Sequence, residues 1–266
     1  MRLISASAFF LLIGCALVEG PRERTASIAA QANFRPVELP DARMVGFSRG
    51  TKATRLTIYI ESDGAAWPWP DTPPADPTPV VPRVLRMAVI DRSEAVAYLG
   101  RPCQHLKVER LLECDPALWT QARFSEAAVA MTNAAVETLR HRHGATRLDL
   151  VGYSGGGAMA ALVAARRNDV DCLVTLAAPL DTDAWTTAKR VSPLSGSLNP
   201  ANIPVRAAVR QTHVRGGRDE VVPYSTTSRY LARTPSAHVL DMPSFGHDCC
   251  WDRDWPTLRE RTCLAS

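Results

Sequence analysis

The stretch LDLVGYSGGGAMAALVAARR, Leu148 to Arg167, restricts the folds open to this chain more than any other. An apolar run enters Gly152-Tyr153-Ser154-Gly155-Gly156-Gly157, and an alanine-rich helical pattern leaves it. The pattern predicts a strand over Leu148–Val151, a sharp corner, and a helix over Ala158–Arg167. Gly152 to Gly156 satisfies G-x-S-x-G. A serine on such a corner projects its hydroxyl above the sheet edge, and small residues two before and two after it let neighbouring backbones approach. The helix that starts there aims N–H groups at developing negative charge, so the backbone N–H of Gly155 is a candidate oxyanion donor. Two readings compete. One is a purely structural glycine turn. The other is a nucleotide site, because Gly155 to Ala160 also matches G-x-G-x-x-A. That fingerprint wants an acid at the end of the next strand, and here the next strand runs into Ala177-Ala178-Pro179.

The rest of the chain alternates in the same way. Strands are predicted around Met44–Gly50, Arg55–Ile60, Ala95–Leu99, Cys172–Ala177, Ala207–Val214 and Ala237–Asp241. Helices are predicted around Val81–Arg92, Arg123–Gly144, Ser225–Ala232 and Trp255–Arg261, with Ser125 capping the longest and Gly144 ending it. Strands alternating with helices imply an α/β fold: a mostly parallel central sheet flanked by helices on both faces. With 266 residues, 46% of them hydrophobic, one large domain over 41–266 is the default. Seven prolines between Pro68 and Pro82 read as a stiffened surface loop, with Trp67 and Trp69 as candidate pocket residues.

A serine hydroxyl needs a base, and the base needs an orienting acid. Six histidines are available. His141 and His143 suit a helix end, His105 falls in a polar loop, His213 lies inside a strand, and His238 begins one. His247 follows the last strand, at the edge of a parallel sheet where ligands gather. Asp219 follows the strand ending near Val214 at the same edge, with Glu220 turned away and Asp181 and Asp183 as fallback acids.

With these residues in place, the chain from about Val45 onward resembles an α/β-hydrolase. The elbow at Gly152–Gly156, the acid segment GGRDEVVP and the histidine segment FGHD carry the resemblance, and Ser154, Asp219, His247 is the chain order expected for that superfamily. The resemblance implies a serine hydrolase acting on small-molecule carboxylic esters or thioesters, with Ser154, Asp219 and His247 catalytic and no cofactor, and no CxxC or HxxxH spacing supports a metal site at Asp248-Cys249-Cys250. It departs at Glu61-Ser62-Asp63-Gly64, where the superfamily often has His-Gly. By position, the backbone N–H of Asp63 is the second oxyanion donor, which requires its carboxylate to point away. A non-catalytic binding protein on the same fold is the alternative, since fold alone does not fix function.

The N-terminal MRLISASAFFLLIGC has a short basic start and an apolar stretch too short to span a bilayer, which reads as a secretory signal over 1–14. Leu12-Ile13-Gly14-Cys15 resembles the bacterial lipobox, implying lipidation of Cys15, a membrane anchor in the periplasm or outer membrane, and a tether over 15–40. YLGRPCQ and HDCCW make the chain similar to a group of bacterial hydrolase-like lipoproteins. Export permits disulfides among the remaining six cysteines. Cys103 with Cys114 is expected from their closeness, and one of the Cys249/Cys250 pair, with Cys250 preferred, with Cys263 across the last helix. Cys172 is expected to be a buried free thiol. Trp119 and Phe124 are expected to wall a pocket beside the Cys103–Cys114 loop. The net charge of +4 comes from scattered basic residues, which gives no support for nucleic-acid binding.

Overall fold

The computed structural model describes residues 19–65 and 72–265. Residues 1–18, with the signal segment and Cys15, lie outside these, as do Trp67 and Trp69. In chain order the elements are α1 (Pro21–Gln31), β1 (Arg35–Val37), β2 (Gly46–Arg49), β3 (Arg55–Ile60), α2 (Arg83–Ile90), β4 (Val96–Leu99), α3 (Val108–Leu111), α4 (Glu126–His143), β5 (Arg147–Tyr153), α5 (Gly155–Ala164), β6 (Val170–Leu176), α6 (Thr182–Lys189), β7 (Arg210–Gly216), α7 (Ser228–Ala232), β8 (His238–Met242) and α8 (Trp255–Arg259).

The eight strands form one sheet in the order β1-β2-β4-β3-β5-β6-β7-β8. The pairs β1–β2 and β2–β4 are antiparallel, and the rest are parallel. Helices cover both faces, so the central strands are buried on both sides and read as continuous apolar runs rather than alternating ones. Leu56, Ile58 and Ile60 of β3 pack with α4 and α5 on one face, while Tyr59 packs with α2 and α8 on the other. There Trp255 meets Tyr59 edge to face, and its indole N–H donates to the Tyr59 hydroxyl at 2.9 Å.

The chain leaves β3 towards one side of the sheet to make β4, then crosses back to lay β5 on β3's other side and continues outward. Connections therefore diverge between β3 and β5, which opens a crevice at their C-terminal ends. Ser154 follows β5, and Asp63 lies just beyond β3, so both stand at this crevice.

Residues 20–40 do not form a tether. Pro21 supplies a helix start, Thr25 and Ala29 bury one stripe of α1, and β1 then extends the sheet edge. The loop-like polarity of Glu19 to Ala32 belongs to the exposed face of this helix. His105 does lie in the loop after β4, but it is buried there against Tyr98. Phe124 is 1% exposed and stacks under Arg101 instead of walling a pocket.

The disulfides join Cys103 to Cys114, Cys172 to Cys263, and Cys249 to Cys250. Two expectations therefore fail: Cys172 is not a free thiol, and Cys250 does not reach Cys263. The reason is topological. Cys250 follows β8 at the sheet's C-terminal edge, whereas α8 carries the chain back to the opposite edge. There Cys263 N–H donates to Thr212 Oγ1 at 3.1 Å, one strand from Cys172 near the start of β6. The Cys172–Cys263 bridge spans 91 residues and Cys103–Cys114 spans 11. Loop-closure entropy then assigns about 5 kcal/mol to the first and about 3 kcal/mol to the second. Urea titration of the Cys172→Ala/Cys263→Ala and Cys103→Ala/Cys114→Ala proteins checks this: the first pair should be the more destabilised.

Candidate active site

β5 delivers the chain to Ser154 in a left-handed conformation, φ 53° and ψ −129°, which lifts the hydroxyl out of the sheet. A non-glycine residue rarely adopts this conformation, and surrounding structure must enforce it. The enforcement is visible on the next turn. α5 starts at once with Gly155, three residues earlier than its alanine run suggests, and lies against the end of β3. A side chain at Gly156 would collide with the carbonyls of Ile60 and Glu61, and one at Gly155 with the Asp63 carboxylate.

His247 Nε2 is 3.1 Å from Ser154 Oγ, and His247 Nδ1 is 2.9 Å from Asp219 Oδ2. The Asp219 side chain is fully buried. Its Oδ1 accepts the N–H groups of Val221 at 2.9 Å and Val222 at 2.7 Å, which leaves Oδ2 for the imidazole. With Nδ1–H donated to that carboxylate, Nε2 presents its lone pair to the serine hydroxyl. The histidine loop is held from beneath. The Tyr153 hydroxyl donates to the His247 carbonyl at 2.6 Å, and the Trp251 indole N–H donates to the same oxygen at 2.7 Å. Neither positioning residue was apparent from the sequence, although Tyr153 sits inside the serine pentapeptide.

The other candidates lie elsewhere. Asp181 caps α6 and is paired with Arg229 at 2.7 Å, which holds its carboxyl down at about 2. Asp183 is exposed beside the same arginine. His213 is buried with Nδ1 2.8 Å from Thr175 Oγ1, and burial pushes its pKa down to about 3. His143 contacts the Thr51 carbonyl, His141 is exposed beside Glu137, and His238 is exposed at the start of β8.

Asp63 carries the largest surprise. Its carboxylate is not turned away into solvent. Arg123 Nη1 donates to it at 2.9 Å and Arg101 Nη1 at 3.1 Å. Burial pushes this carboxyl up, but the two guanidiniums outweigh that and hold it below its usual range. The backbone around it sorts the donors. Ser62 N–H goes to the Glu61 carboxylate at 2.8 Å, and Gly64 N–H goes to Ser62 Oγ at 3.3 Å. The N–H of Asp63 has no partner among the described residues, and neither has that of Gly155.

These groups open onto a cavity of about 920 Å³, whose lining includes Trp119, Pro74, Arg83 and Asp248. Trp119 is fixed by its indole N–H, which donates to the Pro74 carbonyl at 3.0 Å. Beneath the Asp63 loop runs a buried chain: Tyr98 hydroxyl to Glu61 Oε2 at 3.0 Å, and to His105 Nε2 at 2.8 Å.

The family profile described as alpha/beta hydrolase fold matches residues 37–195. This chain belongs to that family. Among solved structures it is similar to a bacterial membrane phospholipase A, with 16% identity, TM-score 0.55, and coverage of 91% of this chain and 90% of that one. It is similar to Est1E from Butyrivibrio proteoclasticus at 15% identity and TM-score 0.55, covering 86% and 95%. It is also similar to a 2,6-dihydroxy-pseudo-oxynicotine hydrolase at 14% identity and TM-score 0.61, covering 91% and 72%. At these identities the likeness is one of fold. No curated protein sequence matches the chain.

Glu61 makes the base of the site sensitive to pH. Burial pushes its carboxyl up to about 7, against the hydrogen bonds from Ser62 and Tyr98 that favour ionisation. A carboxyl raised on folding is fully favourable below its unfolded value of 4.5 and loses that contribution as pH rises to about 7. Glu61→Gln should therefore gain stability relative to wild type over that window, by on the order of 3 kcal/mol. Paired urea melts at pH 4.5 and pH 7 measure it, and the difference between the two proteins should grow with pH.

Proposed function

We propose that the protein is a serine hydrolase of carboxylic esters or thioesters that works through an acyl-enzyme on Ser154. The observation that carries this reading is the continuous relay Asp219–His247–Ser154, at 2.9 and 3.1 Å, opening onto a cavity. His247 takes the hydroxyl proton as Ser154 Oγ attacks the carbonyl carbon. Asp219 holds the tautomer and stabilises the imidazolium. The negative charge that forms on the carbonyl oxygen meets the unpaired N–H groups of Gly155 and Asp63. His247 then protonates the departing alcohol or thiol, and water repeats the sequence to release the acid.

Val80, Val81, Val191 and Val221 support an apolar portion of substrate. They are four of the seven large exposed apolar side chains among the described residues, and all four line this cavity. Isolated exposed apolar residues need no explanation, but a cluster at one mouth marks a binding surface.

A fluorophosphonate probe tests the reaction class. It should label Ser154 in wild type and leave Ser154→Ala unlabelled. Ester turnover by a folded Ser154→Ala or His247→Ala protein should fall by about 10⁴-fold or more, and Asp219→Asn should fall by a comparable or smaller factor. Near-wild-type turnover by Ser154→Ala would overturn the assignment.

The lipobox-like Leu12–Cys15 supports export and a lipid anchor on Cys15. Cys15→Ser should move the protein out of the membrane fraction or leave it unprocessed. An unmodified cysteine at the mature N-terminus by intact mass would count against the anchor.

A further inference from the structure

The cavity above Ser154 has a charged wall that the relay does not use. Arg101 and Arg123 share the single carboxylate of Asp63, and neither pairs with another carboxylate among the described residues. Both are nine-tenths or more buried: their side chains are 4% and 10% exposed. One positive charge is therefore left over in a place largely removed from water, where uncompensated charge is costly. Burial and the neighbouring Arg123 charge together push the Arg101 pKa below its ordinary value.

The two guanidiniums differ in what they have left to give. Arg101 donates Nη2 to the Arg123 carbonyl at 2.6 Å, stacks over Phe124 at 4.9 Å, and keeps a sealed Nε. It serves the protein interior. Arg123 donates Nε to the Thr120 carbonyl at 2.6 Å and Nη1 to Asp63. Its Nη2 has no partner among the described residues and is not sealed, and Arg123 lines the cavity. A fixed, almost buried guanidinium thus offers an unused N–H pair to whatever enters. The Asp63 carboxylate, packed against Gly155, separates this group from the elbow. With Arg123 Nη1 on Asp63 Oδ2 and that carboxylate against Gly155, a group bound by Arg123 would be a different part of the substrate from the carbonyl under attack. Arg83, also in the lining, already has Asp248 at 3.5 Å and Asp252 at 3.6 Å.

We propose that Arg123 is an anion-binding subsite, so that the preferred substrates are esters carrying a carboxylate or phosphate group. Arg101 and Asp63 hold the guanidinium in place and leave it the net charge that the anionic group neutralises. The substrate half of this inference rests on the serine-hydrolase reading, and the anion site itself does not.

Two matched ester pairs test the substrate half on the full processed protein. Mono-4-nitrophenyl succinate against 4-nitrophenyl butyrate places the charge on the acyl side, and 4-acetoxybenzoate against phenyl acetate places it on the leaving group. Wild type should prefer the anionic member of at least one pair in kcat/KM. Arg123→Gln should lower that member roughly tenfold or more beyond any loss on its neutral partner, as expected for a lost charge-assisted hydrogen bond. Arg123→Lys should retain part of the preference. No anionic preference in wild type, or equal losses within both pairs, overturns the proposal and leaves Arg123 as a support for Asp63 alone. Methylphosphonate binding to the Ser154→Ala protein reads the anion site without turnover. Its affinity should drop at least tenfold when Arg123→Gln is added, and unchanged affinity overturns the site even if esters are hydrolysed.

Discussion

The first turn of α5 lies against the end of β3 with no room for a side chain between them. Gly156 touches the Ile60 and Glu61 carbonyls, and Gly155 touches the Asp63 carboxylate. This contact holds Ser154 at its positive φ and sets the loop that carries Asp63 against Gly155, the residue that follows the serine. Any residue with a Cβ at Gly155 or Gly156 would push the helix from the strand and shift Ser154 relative to Asp63. The glycines are thus the structural condition for the site rather than ornaments of a turn.

That close approach brings the Asp63 carboxylate against Gly155, where the proposed reaction would develop negative charge. An isolated anion there would oppose the reaction, since two like charges a few ångströms apart repel strongly in a poorly hydrated site. The fold answers with two guanidiniums for one carboxylate, and both arrive from positions far along the chain. Arg101 follows β4, and Arg123 precedes the cap of α4. The sum of the cluster is positive, so its field favours an oxyanion and an anionic ligand alike. The same charges lock the loop after β3, because Asp63 is held through both of its oxygens. Position and electrostatics are therefore set by one group of side chains.

The architecture was legible because its signals are local. A parallel strand buried on both faces is a run of apolar residues, and a helix cap is a serine before such a run. Ser125 accepts from Ala128 N–H, and Gly144 closes α4 at φ 62°. Ser154, Asp219 and His247 were equally visible, because each stands just beyond a strand that could be read, and the structure brings them within hydrogen-bonding distance. What stayed hidden depends on pairing between distant segments. No pattern near Asp63 announces Arg101 or Arg123, which lie 38 and 60 residues away. The buried state of His105 depends on Tyr98 and Glu61 in the same manner. Cys172 looked like one more apolar strand residue, since a half-cystine in a strand has the same local context as a buried thiol. α1 was missed because its buried stripe is Thr25 and Ala29, too small and too polar to mark a helix.

The two edges of the sheet divide the work between stability and chemistry. At the N-terminal edge, Arg55 bridges Asp149 at 2.8 Å and Asp171 at 2.9 Å across three strands, and Cys263 ties the chain end to β6. These links join elements distant in sequence. The C-terminal edge is built in the opposite sense. It holds a residue at positive φ and, among the described residues, two backbone N–H groups without partners and a guanidinium with an unused nitrogen. In the proposed reaction a substrate would supply a partner for each of these groups. A domain whose net stability is only about 5–15 kcal/mol tolerates several such deficits when they are offset elsewhere. The long-range bridge and ion pairs of the opposite edge offset them without entering the cavity, so binding can change the charge balance at one edge while the sheet beneath it stays fixed.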